Sequence, residues 1–492
     1  MLKKIVQKYW LLIIILIIGA FFRLYRIGDY MEFLGDQGRD VIIIKDLWQH
    51  GNLFFIGPQT SIGNMYLGPW FYYLISPALL ISNFNPIGPA IFIALLNIFT
   101  IYMLYFVGSK WFSKSIGLTS AFLFAISPVV IKYSNFIWNP NIMPLFSLLL
   151  VYFFFESFNS KKFHYFIYAS FSFIMVINSH YLGMALLPFI GIFWLYSLII
   201  YLKKKSKYLK PFLLNSFIAL FIFIVSLTPQ ILFDIKHNGQ NIKALATFFT
   251  QRETTVNLKA YKAIPIAPLL FNQINTRLLA GKNETVGTIV TVLLGFGILL
   301  FLLKPKKPNF NFWVILSWLF SGIIALALYK QHIYDHYFSF LFPVVFLLFA
   351  YFINRFKLIG IPVLILITIF SLIENPLRIP PNKQLQHSNN LGSAINQDLS
   401  TNNEKFNITM LASYNDFRAQ APRYFINSNN LLSQEDYSSA KVLYIILDDP
   451  SKWKLGIDSD IWEINVFKDN STYTSTNFVT LDNTQIVKLK KN

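Results

Sequence analysis

Cysteine is absent from all 492 residues, so neither a disulfide framework nor a thiolate metal site is open to this chain. Charge is scarce too: Asp, Glu, Lys and Arg together make 13% of the residues, against about 25% in ordinary soluble domains. A soluble globular core of this length is therefore excluded. What fills the space is apolar, with 55% hydrophobic residues, 18% aromatics and 51 Phe. The reading is an all-α polytopic membrane protein.

The scarce charge is also lopsided, with 42 basic against 23 acidic residues and a formal net charge of +19. In a soluble protein that excess would suggest nucleic acid, but its placement points elsewhere. Basic residues gather at Lys3, Lys4 and Lys8, at Lys110 and Lys114, at Lys161 and Lys162, at Lys203 to Lys210, at Lys304 to Lys307, and at Arg355 and Lys357. Each cluster falls in a short gap between apolar segments, and the alternate gaps lack them. This is the positive-inside pattern that orients a membrane protein. No aromatic–basic interleaving of a nucleic-acid groove accompanies it, so nucleic acid is not expected as a partner.

In chain order, a basic N-terminus precedes the apolar run Trp10–Phe22, and Arg23, Tyr25 and Arg26 follow where a signal peptide would carry a small-residue cleavage site. We read an uncleaved first span with a cytoplasmic N-terminus. A first outer loop, 28–86, then holds Asp29, Glu32, Asp36, Asp40 and Asp46. Within it, Asp40–His50 reads as an amphipathic helix closed by Gly51. Tyr66–Ile81 is too short and too broken by Gly68, Pro69 and Pro77 to span, and reads as an interfacial helix. Spans follow at 87–107, 116–133, 141–157, 164–180, 182–201, 212–232, 286–303, 310–328, 337–354 and 358–374. With the first, they make about 11 transmembrane helices. An odd count places everything after them outside the cytoplasm.

The polar stretches then all face outward: the first loop, Trp138-Asn139-Pro140-Asn141, Asn178-Ser179-His180, the long loop 233–285, and Gln331 to His336. Two domains are expected, a transmembrane one over 1–375 and a small extracytoplasmic α/β domain over 376–492. In the latter, Phe406–Ala412, Lys441–Leu447, Ile461–Phe467 and Gln485–Leu489 read as strands and Asn415–Ile426 as a helix.

The richest polar stretch is Gly35-Asp36-Gln37-Gly38-Arg39-Asp40. Asp36 has two readings. It can be the N-cap of the helix that follows, since Asp is a favoured cap. It can instead be a general base at the membrane surface, with Arg39 three residues on, as a reaction on a lipid-linked phosphate requires. Arg39, Arg252, Arg277 and Lys282 are the cations on the outer side that could hold such a phosphate, or else simply solvated charges. Trp138, Asn139 and Asn141 could line a sugar site by stacking and amide hydrogen bonds, or form an aromatic belt and a turn. His332 and His336, four apart around Asp335, would share one face of a helix; His180 ends a span in the same layer. No third metal ligand accompanies the histidines, and no metal or other cofactor is expected.

Arg23–Asp46 followed by Gly57–Ile81 resembles the first loop of the dolichyl-phosphate-mannose protein mannosyltransferase-like enzymes. That group includes lipopolysaccharide sugar transferases and lipid A aminoarabinose transferases, which share the GT-C fold. The resemblance is carried by Asp36-Gln37 after the first span, a helix ending His50-Gly51, and Leu67-Gly68-Pro69-Trp70-Phe71-Tyr72-Tyr73. Val107-Gly108-Ser109-Lys110, then Ser127-Pro128, Tyr133-Ser134 and Trp138-Asn139-Pro140 continue it. It implies a GT-C glycosyltransferase that moves a sugar from a polyprenyl-phosphate donor to an acceptor hydroxyl on a glycan, lipid or protein. The transfer inverts the anomeric centre, with Asp36 as base. On this reading Gln37, Arg39, Tyr66, Trp138, Asn139, Asn141, His180, Arg252, His332 and His336 are candidate substrate contacts. Three departures stand out: Gln37 and Asn139 occupy positions that are acidic in the family, and no basic residue accompanies Leu67-Gly68-Pro69. A lipid-linked sugar flippase or other transporter, and a glycan polymerase or ligase of another membrane fold, are the competing readings.

Overall fold

A computed structural model describes residues 2–60, 65–250, 255–257, 259–303, 309–399, 404–414, 416–449, 460–469, 471–481 and 483–492. The chain forms two compact units. One comprises Met1–Tyr25, Leu53–Ala78 and Gly88–Pro380; the other comprises Arg26–Asn52, Leu79–Ile87 and Pro381–Asn492.

The first unit is helical because a chain in hydrocarbon must satisfy every backbone polar group within its own segment. Among the described residues nine helices are long and apolar enough to cross a membrane. The first is α1, Leu2–Leu24. Two of the eleven expected spans are shorter: 116–133 is a helix over Lys114–Ile126 broken at Ser127 before Pro128, and 164–180 is Tyr165–Ser179. Burial separates core from periphery. The span Asp335–Arg355 is 89% buried and Asn139–Ser160 78%, whereas Leu209–Lys236 is 6% buried. The first two therefore form the centre of this unit and the third presents its side chains to lipid. Two charges inside the unit are matched. Lys110 meets Glu156 at 2.8 Å. Arg23, 1% exposed in the last turn of α1, donates to the carbonyls of Gly19, Phe124 and Ala125.

The second unit carries a four-stranded sheet of order β1-β2-β4-β3, with β1 (Phe406–Leu411) parallel to β2 (Val442–Leu447) and the pairs β2–β4 and β3–β4 antiparallel. Strands β3 (Tyr473–Leu481) and β4 (Thr484–Lys491) form a hairpin. Both faces of β2 are covered, which is why its sequence is continuously apolar rather than alternating. Val442, Tyr444 and Ile446 pack with Leu391 and Ile395, and Leu443, Ile445 and Leu447 pack with Ile464 and Phe467.

Two expectations fail here. Ile461–Phe467 is not a strand; Trp462–Lys468 is a helix, because Ile461, Ile464 and Phe467 recur every third residue and so share a helical face. In the expected helix Asn415–Ile426, the described residues 416–426 are helical only over Gln420–Arg423. The sheet's β3 and a helix over Gln384–Leu399 were not anticipated.

Candidate active site

The helix that carries Asp36, α2, runs from Gly35 to His50, five residues earlier than the sequence pattern indicates. Its N-cap is Leu34, whose N–H donates to the Gln37 side-chain carbonyl at 3.0 Å. Gln37 is buried and engaged in capping, and Asp36 stands free of that task in the first turn, where the helix dipole favours a negative charge. The cap reading of Asp36 is thereby displaced. The Asp36 carboxylate is 53% exposed and accepts from Arg39 Nη1 at 2.8 Å. Arg39 is itself anchored: its Nε and Nη2 lie 3.0 and 2.7 Å from Oδ1 of Asp40, whose side chain is 0% exposed. A buried carboxylate thus fixes a guanidinium, which in turn orients an accessible one.

Within the same unit, the turn at Asp416–Ala421 lies against the first turn of α2. A Cβ on Gly38 would come 2.5 Å from the backbone of Gln420 and Ala421, and one on Gly35 would come 2.8 Å from the Asp416 carboxyl carbon. Two missing side chains therefore create the contact. Asp416, which sequence reasoning missed, is 6% exposed, and burial pushes its carboxyl up to about 6. Farther along α2 lies a groove of about 670 Å³ lined in part by Ile42, Lys45, Gln49, Tyr424, Leu431 and Gln434. The Lys45 ammonium sits 5.3 Å from the Tyr424 ring centre, and desolvation lowers its pKa.

The helical unit gathers several of the other candidates. Trp138, half-buried, lies 4.4 Å from the His336 ring, and His336 lies 6.0 Å from His180. Tyr133 and Tyr337 complete this aromatic–imidazole group. Asn139 and Asn141 are buried and serve backbone: they donate to the carbonyls of Ser179 and Phe136. Tyr66 also works structurally, its N–H donating to Asn241 and its carbonyl accepting from Tyr181. His332 does not join His336 on a helical face, because residues 332–334 are not helical and the 3-10 helix begins at Asp335; His332 is exposed beside Tyr334. Among the described residues no group of three His, Asp or Glu is placed to hold a metal ion.

Arg277, on a helix spanning Ala267–Leu279, forks onto both oxygens of buried Asp335. That hydrogen bond raises the Arg277 pKa. Lys282 follows in a left-handed turn residue (φ 69°), and its pKa is lowered by desolvation and by the positive charges of Arg277 and Lys132. Three cations thus share one neighbourhood with two carboxylates, Asp335 and Glu374, an arrangement that leaves surplus positive charge. Lys132 was missed by sequence reasoning, although it immediately precedes Tyr133-Ser134. Arg252 lies outside the described residues.

Comparison with solved structures identifies this architecture. ArnT from Cupriavidus metallidurans, bound to undecaprenyl phosphate, aligns over 98% of this chain and 98% of its own with a TM-score of 0.61 at 9% identity. The chain has the GT-C fold. The archaeal oligosaccharyltransferase AglB from Archaeoglobus fulgidus, in complex with an inhibitory peptide and a dolichol-phosphate, aligns over 91% of this chain and 70% of its own, with a TM-score of 0.52 at 14% identity. Residues 67–228 match the family model for dolichyl-phosphate-mannose-protein mannosyltransferase. The chain thus shares its fold with these structures, and its residues 67–228 are similar to that mannosyltransferase family. No curated protein matches it by sequence.

Proposed function

We propose that this GT-C protein transfers a sugar from a polyprenyl-phosphate donor to an acceptor hydroxyl on the extracytoplasmic face, with inversion and with Asp36 as the general base. The observation that carries the reading is an accessible carboxylate that plays no capping part and is oriented through Arg39 by a buried Asp40. Asp36 takes the acceptor's proton as the acceptor oxygen bonds to the anomeric carbon. The carbon–oxygen bond to phosphate breaks, and polyprenyl phosphate leaves with the electron pair. A phosphate departs as a stable anion, so no strong general acid is needed; cations that neutralise it suffice. Within the helical unit, Arg277, Lys282 and Lys132 are cations of the kind that could hold such a phosphate, and the Trp138–His336–His180 group is of the kind that stacks on a sugar. The groove beside α2, with its amides and aromatic wall, is assigned to the remainder of the acceptor. No metal or other cofactor enters the scheme. Both GT-C neighbours carry a polyprenyl phosphate lipid in their structures, which supports the donor class.

Asp36→Asn tests the assignment. Asn keeps the size and first-turn polarity of the side chain but cannot take the proton. Turnover of defined polyprenyl-phosphate-linked sugars, followed by the mass shift on membrane acceptors, should fall about a hundredfold to ten-thousandfold with the melting temperature nearly unchanged. Near-normal turnover would remove Asp36 from the chemistry and favour a polymerase or ligase using other residues.

A further inference from the structure

Between Glu156 and Asp234 the sequence holds no acidic residue but seven lysines: Lys161, Lys162, Lys203, Lys204, Lys205, Lys207 and Lys210. All seven are exposed. Glu156 is taken up by Lys110 at 2.8 Å, so the stretch carries positive charge with no acidic residue of its own. The two lysine-bearing loops are joined through aromatic rings. Phe163 packs on Tyr201, Tyr208 and Phe212, with ring centres 6.0, 6.4 and 5.5 Å away. Lys161 Nζ lies 5.7 and 5.9 Å from the Tyr201 and Tyr208 ring centres and donates to the Tyr201 hydroxyl at 3.4 Å. Lys161 and Lys205 also take left-handed backbone conformations, φ 56° and 46°, which glycine or asparagine fills at lower cost. Turn geometry alone therefore does not account for lysine at these two positions.

The helices that end at these loops, Met143–Ser160, Tyr165–Ser179, Leu187–Lys203 and Leu209–Ser226, together line a cavity of about 170 Å³. Phe154, Phe166, Phe173, Ile190 and Ala219 make much of its wall. Its few polar groups are already engaged. Ser170 donates to the Ala219 carbonyl, the Trp194 indole donates to Ser216, and Ser216 donates to the Phe212 carbonyl. Water gains nothing there, whereas an apolar cavity of about 150 Å³ takes up a benzene-sized hydrocarbon. Ser216 is six residues from Lys210, Phe154 seven from Lys161 and Trp194 nine from Lys203. At about 1.5 Å per residue, these parts of the wall stand roughly 9–14 Å from the lysines, within one leaflet of a core about 30 Å thick. Two of the spans that close the cavity have little protein around them: Tyr181–Lys203 is 17% buried and Leu209–Lys236 6%.

We propose that this is a site for an anionic phospholipid of the leaflet on the lysine side. The headgroup phosphate lies against the lysines, one acyl chain fills the cavity, and the lipid ties the two outer spans to the bundle. Lysines and cavity each select one end of that molecule. A soluble anion would use the lysines alone, and a neutral lipid the cavity alone; polybasic segments at a membrane surface favour anionic headgroups. The site stands apart from Asp36 and does not depend on its assignment.

The test uses full-length protein stripped of lipid in detergent and titrated, by native mass spectrometry, with phosphatidylglycerol, phosphatidylcholine and undecaprenyl phosphate. One phosphatidylglycerol molecule should bind about tenfold or more tighter than phosphatidylcholine and raise the melting temperature. Replacing Lys203, Lys204 and Lys205 together by Gln should weaken it about ten- to hundredfold, since each basic residue near an anionic headgroup contributes about fivefold. The matching replacement of Lys304, Lys306 and Lys307 is the control and should leave the tight site intact. Ala219→Leu, which fills the cavity, should weaken phosphatidylglycerol about fourfold for each methylene it displaces, without lowering the melting temperature of the lipid-free protein. Ala169→Leu repeats that test from another helix should the first variant fold poorly. Equal losses in the two lysine triples would mean diffuse attraction and would overturn the proposal. Unchanged binding in the cavity variants, or equal binding of phosphatidylcholine, would overturn it as well. Displacement of phosphatidylglycerol by equimolar undecaprenyl phosphate would give the site to the polyprenyl lipid instead.

Discussion

At the scale of single residues, what distinguishes the candidate site is that its accessible charges are held by inaccessible ones. Asp40 holds Arg39, and Asp335 holds Arg277. Asp335 is 8% exposed, so removing its guanidinium leaves a buried carboxylate without compensation, whereas replacing both partners with apolar groups removes the problem with the pair. Arg277→Met should destabilise the helical unit by on the order of 3 kcal/mol. Adding Asp335→Leu should restore most of the loss, as read from melting temperatures in detergent. Activity should follow a different order: if Arg277 binds the donor phosphate, the double variant is stable yet has a raised donor KM. A double variant that is both stable and kinetically normal would release Arg277 from the phosphate.

At the scale of elements, α2 is built for contact. Gly38 on an isolated helix would be improved by alanine, which gains about 1 kcal/mol in propensity. Here the added methyl would meet backbone at 2.5 Å, and backbone cannot rotate away as a side chain can. Gly38→Ala should therefore lower the stability of the second unit by about 1–3 kcal/mol, measurable as a loss of amide-exchange protection over residues 35–50 and 416–424. An unchanged or higher protection would mean that the turn at Asp416–Ala421 does not depend on this approach. The same contact shows where sequence legibility stops. Apolar runs long enough to span, and the charges between them, are local features and were readable. So were β1, β2 and β4, whose buried runs are bounded by polar segments. The strand expected at Ile461–Phe467 failed because seven residues with apolar positions every third residue satisfy a helix better than an alternating strand. Asp40 and Gln37 were visible as polar residues, but nothing local marks one as a buried anchor and the other as a cap. The contact of Asp416 with α2 was invisible for a deeper reason: the two segments are hundreds of residues apart, and the trace it leaves in the sequence is a pair of glycines in α2.

For the whole molecule, the basic clusters all fall in alternate gaps, and the orientation proposed here rests on that pattern. Two of the expected spans are helices of 13 and 15 residues, shorter than the about twenty that a bilayer core demands. If both cross, the parity is odd and the sheet-bearing C-terminal segment lies outside. Protease added to intact spheroplasts should then remove residues from about 381 onward. Removal only from inverted vesicles would show that one of these two short helices fails to cross. In the helical unit the recurrent pattern of Phe, Trp and Tyr contacts was legible as composition, since 18% aromatic residues must pack somewhere. Which rings would gather around His336 was not, because that depends on the bend at Asp335 where extended chain becomes 3-10 helix.

Arg23 has a consequence for how the protein is made. Two of its guanidinium nitrogens donate to the carbonyls of Ala125 and Phe124, 102 and 101 residues downstream. Helix α1 leaves the ribosome long before those partners exist. During that interval its C-terminal end must keep the charge at the aqueous interface, by sitting shallow or by reaching the guanidinium toward the headgroups. Final seating of α1 therefore waits for the helix over Lys114–Ile126.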